Sequence, residues 1–344
     1  MTLYRDILKK AWKVVKCSKN LWFFGLFVAP LANGGVFELL YRSITLEPLQ
    51  TKNIAVAFLN DLSRFSLIDS VVVLVRTILS GQEGQGAPLL LLTLVAIGSV
   101  VLAWLTIVSL DALVSGAKRS LGGDAPTIRE GLVIGHTSFW NIAAVVAVGM
   151  IVINFVFTFI RAVLSINIGI AYPWTTIAEI AAFVILLAAI VFVYFIAFYT
   201  IAFIVLKRAP IRSALSQGYE LFMRYWLVNI ELSALLFVLT LVAGLLGTAV
   251  IKLFAELPLS YLVYLGTASR LLPASVAVSY ILQTVVALLM MLLWAMISVF
   301  QLASWTALFG QLTKKTVAVE SKTVRVGRII GSMITPARQR DVLE

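Results

Sequence analysis

Residues 209–226 read APIRSALSQGYELFMRYW, a half-polar stretch between two apolar runs, 177–206 and 226–254. Each run exceeds the ~20 residues that cross a hydrocarbon core. The stretch has an earlier counterpart, APTIREGLVIGHTSF, at 125–139. With one residue inserted after the proline, Ile211, Arg212, Leu215, Gly218 and Phe222 match Ile128, Arg129, Leu132, Gly135 and Phe139. The N-terminus matches more weakly, through Arg5, Leu8 and Ala11 at the glycine position. In all three places apolar or small residues recur at i, i+4, i+7 and i+11: 4/8/11/15, 128/132/135/139 and 211/215/218/222. That spacing draws one stripe along a helix.

A pattern that returns ahead of successive apolar runs predicts tandem units. Each amphipathic helix leads into a tryptophan, Trp22, Trp140 or Trp226, and indole rings favour the membrane interface. Pro126 and Pro210 suit the first helical turn, where a missing N–H costs nothing. The expected fold is an all-α membrane protein with six transmembrane helices in three tandem units of about 1–119, 125–208 and 209–315. Each unit is an interfacial amphipathic helix, laid along the inner surface, plus a helix pair. The half-polar stretch is then the start of the third unit.

Composition agrees with the class. Only 12% of the 344 residues are charged and the mean hydropathy is +1.02, whereas a soluble domain carries roughly 25% charged residues. Apolar segments fall at about 20–38, 88–115, 140–160, 177–206, 226–254 and 277–312. The first is interrupted by Pro30 and by Asn33-Gly34-Gly35. The last is too long for a bilayer and must tilt, break or project. An amphipathic extracytoplasmic insertion is expected at 39–87, and a basic cytoplasmic tail at 313–344 after the membrane domain of 1–312.

The formal charge of +11 does not point to nucleic acid, because the bases cluster at the ends of apolar runs. The stretches 1–20, 115–139, 207–225 and 313–344 hold 6, 3, 4 and 7 of the 27 Lys and Arg residues. By the positive-inside rule both termini are cytoplasmic, in a multi-pass protein of the plasma (inner) membrane. Lys118, Arg119, Arg129, Lys207, Arg208, Arg212, Arg224, Lys314 and Lys315 are the inner-surface bases expected to meet anionic headgroups. The basic N-terminus has no cleavage site after a short apolar core, so no removable signal peptide is expected.

The stretches YRDILKKAWKVVKCSKNLWFFGLF, REGLVIGHTSFW and RSALSQGYELFMRYW resemble a broad group of bacterial membrane proteins. These are similar to the membrane domain found beside some glycerophosphodiester phosphodiesterases. The resemblance implies a six-helix integral membrane protein and no particular reaction. The phosphodiesterase activity belongs to a separate barrel domain that has no room in this sequence.

Catalytic constellations are missing. His136 is the only histidine, and Glu130, six residues away, lies on another helical face, so a metal pair is not expected. Its repeat position matches Trp12 and Tyr219, which favours an aromatic-like interfacial role. LGGDAP at 121–126 reads as a turn, and Cys17, the single cysteine, has no histidine partner. No cofactor is called for. The favoured function is a non-enzymatic membrane protein that organises lipids or other membrane proteins, with a membrane-protein partner or a second copy of itself. The alternatives are a transporter or channel for ions or small solutes, for which Thr200, Gln283, Thr284 and Gln301 offer few lining groups, and an intramembrane enzyme. Asp111 and Glu231, acidic groups inside apolar runs, are functional candidates by default. Pairing with Lys118 and Arg224 is the favoured reading of both.

Overall fold

The computed structural model describes residues 2–30, 86–124, 126–167, 173–251 and 272–313, with Leu253 and Tyr261. Nearly all of the expected 39–87 insertion, the tail beyond residue 313, and Lys314 and Lys315 lie outside the described residues. Among these residues every regular element is a helix. In chain order they are α1 (Thr2–Cys17), α2 (Asn20–Pro30), α3 (Gly86–Leu121), α4 (Ile128–Thr137), α5 (Phe139–Asn167), α6 (Pro173–Lys207), α7 (Ile211–Arg224), α8 (Trp226–Ile251) and α9 (Leu272–Leu312). Five of them, α3, α5, α6, α8 and α9, are long and apolar enough to cross a membrane, and α2 is a shorter apolar helix.

Length sets the architecture. Helix α3 has 36 residues, α6 has 35 and α9 has 41, which is about 52–62 Å at 1.5 Å per residue against a ~30 Å hydrocarbon core. The last helix does not break; it runs unbroken from Leu272 to Leu312. The C-terminal portions of these three helices are buried: apolar residues of Leu110–Val114, Phe198–Ile204 and Leu302–Phe309 join one core. Their N-terminal portions carry exposed Leu94, Ile97, Val100, Ile177, Val184, Ile281 and Leu288. The described residues therefore have one packed end, and away from it they present apolar side chains of the kind that lipid covers.

Helices α4 and α7 double back along the long helices that precede them. Gly131 lies beside Ala112 and Gly135 against the Val108 backbone, so α4 runs antiparallel to α3. Gly218 sits on the Thr200 backbone and Phe222 stacks on Phe195 at 5.2 Å, so α7 runs antiparallel to α6. Helix α1 packs chiefly on α9, the last helix of the chain. Close approach needs small residues, and it explains why α4 and α7 lie along the long helices and not flat beneath the bundle. The buried stripe is also shifted from the expected one. Gly131, Gly135, Ala214, Gly218 and Phe222 are buried, while Ile128 is 38% and Leu215 51% exposed.

Local signals set the helix starts. Thr127 caps α4, with its hydroxyl accepting from the Glu130 N–H and the Glu130 carboxylate accepting from the Thr127 N–H, a reciprocal capping box written T-x-x-E. Pro210 is the residue just before α7, without a side-chain cap, and Pro126 lies one residue before the α4 cap. Both prolines thus precede the first turn instead of occupying it.

A Cβ at Gly135 would stand 2.4 Å from the Val108 carbonyl oxygen, whereas one at Gly149 meets nothing within 4 Å. Gly135→Ala is expected to lose about 1–3 kcal/mol through overpacking. Gly149→Ala should be neutral or gain a few tenths, since alanine favours helix. Thermal unfolding of the purified protein in detergent checks both.

Candidate functional site at the packed end

The packed end carries the charge. Arg5, Lys9, Lys10, Lys13, Lys16 and Lys19 on and after α1 are exposed, as are Lys118, Arg119, Arg129, Lys207, Arg208, Arg212 and Arg224. On the same elements the exposed acids are Asp6, Asp124, Glu130 and Glu220. Two of the cations lie over aromatic rings, Lys16 over Trp12 at 5.4 Å and Arg224 over Tyr225 at 5.6 Å. Arg119 pairs with Glu130 at 3.5 Å on an exposed face, a geometry that adds little stability. Trp140 is 81% and Trp226 52% exposed, so both indoles are available to an interface.

Asp111 and Glu231 have partners other than the expected lysine and arginine. Asp111 is 1% exposed on α3, facing the backbone N–H and hydroxyl of Ser138 at the α4–α5 junction. Its Oδ2 is buried with no hydrogen-bond partner among the described residues. Glu231 on α8 accepts from the Tyr4 hydroxyl of α1. Lys118 donates instead to the Leu206 carbonyl oxygen at 3.4 Å. A third buried link was not anticipated: Tyr199 on α6 donates to Asn229 Oδ1 on α8 at 2.5 Å. Its sequence signal is that Asn229 is the one amide side chain in α8, three residues after Trp226. Tyr4 was legible only as a member of the N-terminal stripe.

Two of the four groups considered as a polar path are bonded to neighbours. Thr200 Oγ1 donates to the Ile196 carbonyl of its own helix, and Gln301 donates to Thr240 at 2.7 Å. Thr284 is exposed, and the side chain of Gln283 is outside the described residues. His136 is exposed and stacks on Phe139 at 6.2 Å and 17°, the arrangement of an aromatic ring. No group of three metal-ligating side chains occurs among the described residues.

Comparison with protein-family models, with curated proteins and with solved structures gives no match. The likeness to the phosphodiesterase-associated membrane domain accordingly rests on the quoted residues alone.

The Tyr4–Glu231 bond joins helices 227 residues apart in the chain. Burial, and then the Glu231 carboxylate, push the Tyr4 hydroxyl above the usual phenol value, so it stays a donor. Because the folded value is the higher one, the contribution is intact below about pH 10 and declines as pH rises past it. Tyr4→Phe should cost about 1–2 kcal/mol at neutral pH and flatten that alkaline loss. Glu231→Gln, whose amide oxygen still accepts, should cost less. Unfolding titrations of the two single variants and the double variant, followed from pH 7 to 11, measure the coupling directly.

Proposed function

We propose that this chain is a non-enzymatic integral membrane protein of six helices in three tandem units, whose inner face gathers anionic lipid headgroups and thereby organises lipids or neighbouring membrane proteins. The observation that carries the reading is the imbalance of charge at the packed end: thirteen exposed bases, named above, against four exposed acids. Each base near an anionic surface attracts by about 1 kcal/mol. The Tyr199–Asn229 and Gln301–Thr240 pairs hold helices together and Thr200 is bonded within its own helix, which supports a scaffold over a conducting path.

Packing supports the three-unit scheme. The T-shaped pair Tyr219–Phe192 (6.3 Å, 80°), between α7 and α6, has a counterpart in Trp12–Phe300 (6.2 Å, 80°), between α1 and α9. Tyr219 and Trp12 are the residues that follow Gly218 and Ala11 in the sequence pattern. Gly135 on Val108 gives the third unit pair the same kind of close approach. In this reading each amphipathic helix clasps the long helix of the unit before it, and α1 clasps the last.

Both termini face the cytoplasm in this proposal, which Cys17 reports on because its thiol is free and exposed. A membrane-impermeant maleimide is expected to label it in inverted vesicles and not in intact cells. Native mass spectrometry of protein extracted in mild detergent should show anionic phospholipid enriched over zwitterionic lipid. Equal retention of both would remove the support for headgroup gathering.

A further inference from the structure

Helices α3 and α6 end beside one another: Lys118 Nζ reaches the Leu206 carbonyl oxygen at 3.4 Å. Lys118 and Arg119 from α3 are thereby brought to the end of α6, where Lys207 and Arg208 follow Leu206. All four are exposed. Arg119 is shared with Glu130, and Asp124 is the other acid on these turns. Among the described residues the side chains of Lys207 and Arg208 have neither a hydrogen bond nor an ion pair. Four cations against two carboxylates leave a local excess of two positive charges.

The backbone marks one of these residues. Arg208 has φ +52°, in the left-handed region, and is the only non-glycine residue there among the described residues. The Ala209 N–H returns to the Phe203 carbonyl, six residues back, at 3.3 Å, so the chain leaves α6 through a left-handed residue, a place that glycine takes more often. After α3 the left-handed residue is a glycine, Gly123 at φ +107°, two residues ahead of Ala125-Pro126, whereas Arg208 directly precedes Ala209-Pro210. A side chain at a left-handed position is strained, so glycine would end α6 more favourably. Strain retained at one residue, beside unpaired cations, is an argument from backbone to function.

We infer that Lys118, Lys207 and Arg208 form a binding site for a doubly charged phosphate group. The guanidinium fork suits two phosphate oxygens, and the ammonium groups supply point charges for the rest. The same chemistry is presented by a soluble phosphate compound and by a lipid whose headgroup is a terminal phosphate. The inference rests on the inner face being anion-gathering, and narrows it to one place.

The test exploits the strain. Arg208→Gly should unfold at the same or a higher temperature than the wild type, because the left-handed position then suits its residue. It should nevertheless lose most of the phosphate-dependent gain. The full chain in detergent is titrated with inorganic phosphate against chloride at constant ionic strength. A parallel arm uses nanodiscs of zwitterionic lipid containing either phosphatidic acid or phosphatidylglycerol. A rise in melting temperature with phosphate, or with phosphatidic acid beyond phosphatidylglycerol, that falls at least fivefold in Arg208→Gly supports the site, and the responding arm identifies the source. A response kept in Arg208→Gly overturns it, as does a wild type that responds in neither arm. Retention of a general preference for phosphatidylglycerol over zwitterionic lipid in that case leaves the broader headgroup-gathering reading standing, so the two can fail separately.

Discussion

Three apolar helices longer than a hydrocarbon layer is thick impose the rest of this structure. Inside hydrocarbon, apolar contact between helices adds little, because lipid tails are equally apolar. Beyond the hydrocarbon, the same apolar residues must be covered. The C-terminal turns of α3, α6 and α9 are mostly apolar, with Val108–Val114, Ile201–Ile204 and Leu302–Phe309 buried. Cover comes from helices α4, α7 and α1, which pack against those turns. Close packing of this kind is possible only where a Cβ is missing or small, as at Gly135, Gly218 and Ala11. The aromatic cluster of Phe195, Phe222, Trp305, Tyr199 and Phe309 then fills the space between α6, α7 and α9.

Polar side chains buried at this end act as fasteners. Ser138 faces Asp111, Asn229 meets Tyr199, Tyr4 meets Glu231, and Ser18 meets Ser120 at 2.9 Å. Each pair bridges different helices near the place where an amphipathic helix gives way to an apolar one. A carboxylate in such a position is costly to bury, and a donor from another helix offsets that cost only when the helices are docked. Asp111 and Glu231 thus meet these donors only where the helices that flank Ser138 and carry Tyr4 are docked.

Legibility in the sequence followed the range of the interaction. Two of the spans were placed within a few residues, 226–254 against Trp226–Ile251 and 177–206 against Pro173–Lys207, while 88–115 and 140–160 stop six and seven residues short of Leu121 and Asn167. Hydropathy is a local property, and so is the capping box at Thr127 and Glu130. The stripe on α7 was drawn through Leu215, which is exposed, when the buried line passes through Ala214. Alanine carries too little hydrophobic signal to compete with leucine, although its small size is what the packing required. Partners of Asp111 and Glu231 were assigned to nearby bases because sequence distance was the guide, whereas Tyr4 lies 227 residues from Glu231. The left-handed backbone at Arg208 leaves no trace in the residues Lys-Arg-Ala-Pro, since no glycine announces it.

The position of α1 carries this reasoning to the order of assembly. Its buried face, Ile7, Ala11, Val14 and Val15, is completed mainly by α9, and its Tyr4 is engaged by α8. Neither partner exists until most of the chain has been made. Helix α4, by contrast, finds its partner in α3 immediately upstream, and α7 finds its own in α6. Two of the clasps are local and can close as they are synthesised, while the third requires the two ends of the chain to meet. Long-range closure of that kind carries a larger entropic cost before any contact rewards it. An unpartnered α1 is amphipathic, with six bases on and just after it, and an anionic surface is a stable place for such a helix to wait. Of the three clasps, that of α1 is therefore the last whose partners are made.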